Sequence, residues 1–134
     1  MKYLLDTDIC IFIIRKRPKS VFDILRQQAI GSVGISSVTY SELCHGAYKS
    51  QNREKNLSAL EAFTAPLEVV PYDAIVGLTY GKVRRNLEQK GMPIGPLDLM
   101  IAAHALSLGL TLVTNNTREF ERVEELNVIN WLKP

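Results

Sequence analysis

The sequence predicts an α/β protein with a central parallel sheet of four to five strands covered by helices on both faces. Three observations predict it. Short continuous apolar runs at residues 2–5, 32–36, 67–70 and 110–113 read as strands buried on both sides, where polar alternation is not needed. Longer stretches with apolar residues at helical spacing lie between them. The two kinds of segment alternate from one end to the other, the order that builds parallel crossover units.

The elements follow in chain order. Residues 2–5 form a strand that runs into Asp6-Thr7-Asp8, a turn opening a helix with Thr7 or Asp8 as N-cap. Asp8 is the preferred cap, which leaves Asp6 to point into a cleft. Ile9 to Ile14 continue as helix, and Pro18 ends it. Val21, Ile24, Leu25 and Ala29 set a helix over 19–30, stopped by Gly31. After the strand at 32–36, Ser36 or Ser37 caps a helix over 38–49 that carries Glu42. An amphipathic helix over 52–65, a strand at 67–70 and a long helix over 73–90 closed by Gly91 follow. A Gly-Met-Pro-Ile-Gly-Pro loop leads to Pro96, well placed in the first turn of a helix ending at Leu108 before Gly109. A strand at 110–113, a loop with a helical turn over 114–125 and a short strand at 128–131 complete the chain. With no repeat, low-complexity run or linker, residues 1–134 read as one domain.

Bulk properties narrow the class. Hydrophobic residues at 46% and charged ones at 22% exclude disorder and a coiled coil. No apolar run approaches the roughly 20 residues that span a bilayer. Asp6 and Asp8 interrupt the N-terminal apolar stretch, which argues against a signal peptide. Two cysteines, Cys10 and Cys44, are too few for a disulfide framework and read as reduced thiols. The cytosol is the expected compartment. A net charge of +2 predicts no partner by itself. The run Arg15-Lys16-Arg17-Pro18-Lys19 and the pair Arg84-Arg85 suit phosphate contacts, and equally suit a solvated helix end and helix face.

Parallel sheets gather functional groups at the carboxyl ends of their strands. Asp6 follows the first strand and Thr114-Asn115-Asn116 the fourth, while Glu42 lies in the helix after the second. Asp98 is the one charged side chain in an otherwise apolar helix, so it needs a reason to be there. A first-turn Asp also stabilises a helix N-terminus unaided, and Glu42 alone reads as a surface or capping residue. If Asp6, Glu42 and Asp98 converge, they cannot all stay ionised without a counter-charge. A hard cation such as Mg²⁺ or Mn²⁺ prefers oxygen ligands and promotes phosphodiester hydrolysis. His104 falls on the apolar spacing of its helix and reads as a core or boundary residue. His45 beside Cys44 lacks the second pair that zinc requires.

At these residues the sequence resembles the PIN-domain family, specifically the VapC toxins of bacterial VapBC toxin–antitoxin pairs. The matching pieces are Tyr3-Leu4-Leu5-Asp6-Thr7-Asp8, Ser36-Ser37-Val38-Thr39-Tyr40-Ser41-Glu42-Leu43, Pro96-Leu97-Asp98-Leu99-Met100-Ile101-Ala102-Ala103 and Leu112-Val113-Thr114-Asn115-Asn116-Thr117-Arg118-Glu119-Phe120. They span essentially the whole chain in the right order. The resemblance implies a three-layer α/β/α PIN-like domain and a metal-dependent endoribonuclease. It makes Asp6, Glu42 and Asp98 an acidic triad that binds Mg²⁺ or Mn²⁺, with Asn116 at a fourth metal position that is often Asp in the wider family. Asn there removes a charge and favours one tightly held ion over two. Thr7 and Thr114 match supporting positions. A homodimer, a small VapB-type antitoxin covering the active site, a higher toxin–antitoxin assembly and operator DNA contacted only through the antitoxin are also implied. The wording of residues 6–18 and 114–123 is similar to the subgroup that cuts initiator tRNA in the anticodon stem-loop, blocking translation.

Two other readings compete. Asp6-x-Asp8 after a strand suits a haloacid-dehalogenase-like phosphatase, although that family wants a Lys partner and a later acid pair where this chain has Thr114-Asn115-Asn116. A catalytically inactive PIN-like RNA-binding module is the other, and the intact acid set argues against it.

Overall fold

The computed structural model describes residues 1–133. Among them the elements run β1 (Tyr3–Leu5), α1 (Thr7–Arg15), α2 (Lys19–Arg26), β2 (Val33–Ser36), α3 (Ser37–Lys49), α4 (Arg53–Thr64), β3 (Glu68–Val70), α5 (Ala74–Gln89), α6 (Pro96–Leu108), β4 (Thr111–Val113), α7 (Thr117–Phe120) and β5 (Val128–Ile129). The strands form one sheet in the order β3-β2-β1-β4-β5, and every pairing is parallel. Chain growth goes outward from β1 to β2 and β3, then returns to the other side with β4 and β5. The reversal falls between β1 and β4, where such sheets open a crevice at their carboxyl edge.

The pleat sorts the central strands into two cores. Leu4 and Leu112, in register, join Val83, Leu87, Leu99, Ile101 and Phe120 of the α5, α6 and α7 layer. Leu5 and Val113, the next register pair, join Ile9, Ile13, Leu43 and Leu60 of the α1–α4 layer. Adjacent residues thus serve opposite faces, as a period of two demands. Burial of each such side chain contributes about 1.5–3 kcal/mol before entropy is counted. Gly34 of β2 is paired with Glu68, and a Cβ there would lie 2.8 Å from the Glu68 carbonyl oxygen. Only glycine lets β3 come in at that point.

The expected elements are present, with shifts that have local causes. Helix α2 stops at Arg26 rather than residue 30. Gln28 N–H bonds to Leu25 O and Ser32 N–H to Ala29 O, so two tight turns replace the last helical turn and Gly31 takes φ +84°. Strand β5 ends at Ile129 because the Asn130 side chain accepts from Leu132 N–H at 2.8 Å and bends the chain. Helix α6 behaves as its composition requires: Gly95 and Pro96 open it, Gly109 closes it at φ +66°, and Leu99 and residues 101–105 are buried. Among the described residues no helix is long and apolar enough to cross a membrane.

Candidate active site

Asp6 stands at the exit of the central strand. Its N–H donates to Val113 O at 3.0 Å, extending the β1–β4 ladder by one residue. Its backbone is still extended (φ −77°, ψ 172°) while Thr7 is already helical, so Asp6 itself is the N-cap of α1. Oδ1 accepts from Ile9 N–H at 2.9 Å. The expectation that Asp8 caps the helix and frees Asp6 is therefore corrected. A cap must immediately precede the first helical residue, and the helix begins one residue too early for Asp8. Asp8 sits exposed in the first turn. The other Asp6 oxygen, Oδ2, accepts from the Thr114 hydroxyl, whose oxygen accepts in turn from Asn116 N–H at 2.9 Å.

Asp6 is only 3% exposed, and burial pushes its carboxyl up to about 7 from 3.8. The Thr114 and Ile9 hydrogen bonds oppose that rise, while the negative charges of Asp8 and Asp98 add to it. Asp98, half-buried in the first turn of α6, is pushed up to about 6, first by burial and then by the charges of Glu119, Asp8 and Glu42. Glu42 comes from the second turn of α3 and accepts from the Thr7 hydroxyl at 2.7 Å. Thr7 thereby ties α1 to α3 across 35 positions of sequence. The charge of Asp98 thus acts on Asp6, and that of Glu42 on Asp98.

Asn116 is placed differently from the other three. Its backbone N–H supports Thr114, but its exposed side chain donates to Glu119 Oε2 at 2.5 Å. Glu119 is the residue that sequence reasoning passes over. Its Oε1 accepts from Gly95 N–H at 3.3 Å, and its charge is the largest among those acting on Asp98. The Asn116-x-x-Glu119 spacing, which resembles a capping box, was the available signal.

Among the described residues no three His, Cys, Asp or Glu side chains are drawn close enough to enclose an ion by themselves. Such an open set of oxygen donors fits a hydrated divalent cation, which keeps several waters and takes only one or two carboxylates directly. It suits zinc less, which favours nitrogen and sulfur ligands. Arg84 and Arg85 both lie within ion-pair distance of Glu88 on the exposed face of α5, at 3.4 and 3.8 Å, the solvated-face reading. A cavity of about 610 Å³ lies away from the acids and is walled by Phe22 and Leu25 of α2, Phe63 of α4 and Leu67.

Residues 3–126 match the PIN domain. The chain belongs to the PIN-domain family. Within that family it is 48% identical to the tRNA(fMet)-specific endonuclease VapC of Shigella flexneri, over 98% of both chains. The structure of DNA-bound VapBC from Salmonella typhimurium contains a chain with a TM-score of 0.93 and 43% identity, matched over 98% of each chain. The Rickettsia felis VapBC2 complex with a promoter DNA fragment gives 0.90 and 40%, covering 98% of this chain and 99% of that one. PIN-domain nucleases are generally dependent on a divalent metal. PIN membership decides against the phosphatase reading of Asp6 and Asp8, and here both Asp6 oxygens already hold protein hydrogen bonds.

Proposed function

We propose that this chain is the toxin of a VapBC-type pair, a Mg²⁺- or Mn²⁺-dependent endoribonuclease that cleaves initiator tRNA in its anticodon stem-loop within the bacterial cytoplasm. It acts as a single PIN unit, pairs as a homodimer, and is silenced by a small VapB-type antitoxin through which any operator DNA contact is made. The observation that carries the chemistry is the pair of carboxyls, Asp6 and Asp98, raised to about 7 and about 6 at one sheet edge. Neither is comfortable as an anion without a cation beside it.

Asp6, Glu42 and Asp98 are the residues that hold the ion, with Asn116 at the margin. When bound, a divalent cation lowers the pKa of a coordinated water and neutralises a phosphate oxygen. The chain supplies the orientation. Thr114 and the Ile9 N–H fix Asp6 from two sides, so its carboxylate cannot rotate as charge develops. Thr7 holds Glu42 by Oε1, leaving Oε2 free to face the ion.

The names of the relatives, endonuclease for Shigella flexneri and ribonuclease for Rickettsia felis, support an RNA substrate. The test is incubation of purified protein with total tRNA in Mg²⁺, Mn²⁺ or chelator. Cleavage that needs the ion and is abolished by Asp6→Ala or Asp98→Ala is expected. A wild type that cuts nothing these variants spare sinks the nuclease reading and favours an inactive RNA-binding module. Expression without a partner is expected to arrest bacterial growth, and Asp6→Ala to relieve it.

A further inference from the structure

Helix α6 carries a second polar side chain that the chemistry above does not use. His104 is fully buried, six residues beyond Asp98 on the same helix. Its Nδ1 lies 2.8 Å from Ser36 Oγ, and its Nε2 is a buried nitrogen with no hydrogen-bond partner among the described residues. Ser36 is the last residue of β2 and the N-cap of α3, and its Oγ already accepts from Val38 N–H at 3.1 Å. The hydroxyl proton remains to be placed, and the imidazole is the acceptor in reach. Donation from Ser36 to Nδ1 puts the ring proton on Nε2 and leaves one orphaned group; the opposite tautomer leaves both the Ser36 hydroxyl and Nε2 unsatisfied. Burial lowers the His104 pKa from 6.5, against an upward pull from Asp73, which keeps the ring neutral.

The contact belongs to a closed circuit. Ser37, the next residue, accepts from Tyr72 N–H at 3.0 Å. The Tyr72 ring then meets His104 edge to face, with centroids 5.6 Å apart at 80°. Ser36, Ser37, Tyr72 and His104 therefore join the β2–α3 junction, the β3–α5 turn and the middle of α6. A buried imidazole with an unmet hydrogen bond is a costly way to fill a core position, where a leucine or phenylalanine packs without penalty. What it provides that they do not is a directed tie between the cap of α3 and α6.

We propose that His104 is a positioning residue: by accepting from the Ser36 hydroxyl it fixes the start of α3 against α6, and so sets Glu42 relative to Asp98. The role rests on the metal-dependent reading above. Asp6 and Thr114 lock the β1 and β4 exits to each other, while the Glu42 carboxylate is held, among the described residues, by its hydrogen bond from Thr7. The His104–Ser36 bond adds a direct tie between the start of α3 and α6 to the Thr7–Glu42 contact and the bond from Tyr72 N–H to Ser37. Outer groups that orient ligands in this way typically alter metal affinity by 10- to 100-fold when removed.

The experiment titrates Mn²⁺ by electron paramagnetic resonance into wild type, His104→Leu, His104→Asn and Ser36→Gly, with a thermal melt and tRNA cleavage for each. Asn places an acceptor where Nδ1 was, Leu fills the volume without one, and Gly keeps a tolerable cap but has no hydroxyl. His104→Leu and Ser36→Gly are expected to weaken Mn²⁺ about tenfold and to slow cleavage at saturating RNA, while His104→Asn stays near wild type. In a Glu42→Gln background the His104→Leu change is expected to add nothing, because its route runs through Glu42. A folded His104→Leu with wild-type Mn²⁺ affinity overturns the proposal, and so does an undiminished effect in the Glu42→Gln background. If His104→Leu does not fold, wild-type affinity in Ser36→Gly overturns it instead. A wild type that binds no Mn²⁺ overturns the metal reading and this role together, whereas failure confined to the variants overturns this role alone.

Discussion

Replacing Asp6 by Asn should make the metal-free protein more stable, and increasingly so as pH rises. Asp6 is 3% exposed, and burial holds its carboxyl at about 7 in the folded chain against 3.8 when unfolded. A carboxyl raised on folding carries no ionisation penalty below the unfolded value. The penalty grows as pH climbs and is complete once pH passes the folded value. The gap of about three pKa units corresponds to about 4 kcal/mol at 1.36 kcal/mol per unit. Between pH 5 and pH 8 the cost rises from about 1.6 to about 4 kcal/mol, a difference of roughly 2–3 kcal/mol. Asn caps a helix as well as Asp does, so the bond from Ile9 N–H survives; the amide nitrogen cannot accept from the Thr114 hydroxyl, but that loss is the same at every pH, so the change with pH isolates the charge. The assay is thermal unfolding in chelator at pH 5, 6.5 and 8. The advantage of Asp6→Asn over wild type should widen by on the order of 10 °C across that range for a domain of this size. Adding Mg²⁺ at about 100 times its dissociation constant should return about 2.7 kcal/mol to wild type and less to the variant. A gap between wild type and variant that is the same at pH 5 and pH 8 would refute the buried-anion account.

Other substitutions probe the neighbouring supports. Thr114→Val removes the donor to Asp6 and the acceptor for Asn116 N–H at nearly constant shape, and should cost about 1–3 kcal/mol in denaturant unfolding while moving the Asp6 titration still higher. Asp98→Asn should leave the melting curve of wild type intact or improved at pH 8, yet reduce tRNA cleavage by about two orders of magnitude in single-turnover assays. Gly34→Ala drives a Cβ to 2.8 Å from the Glu68 carbonyl and should destabilise the β2–β3 edge by about 1–3 kcal/mol, read as a lowered melting temperature. An unchanged melt would show that β3 shifts freely.

The parts of this molecule that were legible in the sequence are those with a local cause. A lone carboxylate on α6, Pro96 at its start and Gly109 at its end announce both the helix and its unusual residue without any tertiary contact. The buried strands announce themselves because parallel sheets tolerate little polarity. What was not legible depends on one dihedral angle or on partners far apart. Whether Asp6 or Asp8 caps α1 turns on the extended ψ of Asp6, which no residue type dictates. Glu119 hides in a helix of four residues, too short to show a period, and reaches the site through Gly95, 24 residues away. The Thr7 partner of Glu42 and the Ser36 partner of His104 lie 35 and 68 residues away in sequence. Spacing read His104 as a core or boundary residue and was silent on what it holds.

The position of β1 in the middle of the sheet has a consequence for control. The Asp6 N–H is bonded to Val113, one step beyond strands whose side chains Leu4, Leu5, Leu112 and Val113 are wholly buried. That amide should exchange with solvent only when the whole domain opens. An acid anchored at the most protected point of the fold cannot be switched off by loosening a loop or fraying a helix end. On the function proposed above, restraint arrives from outside, as a second chain laid over the open edge, and its removal leaves a site that needs no refolding to work.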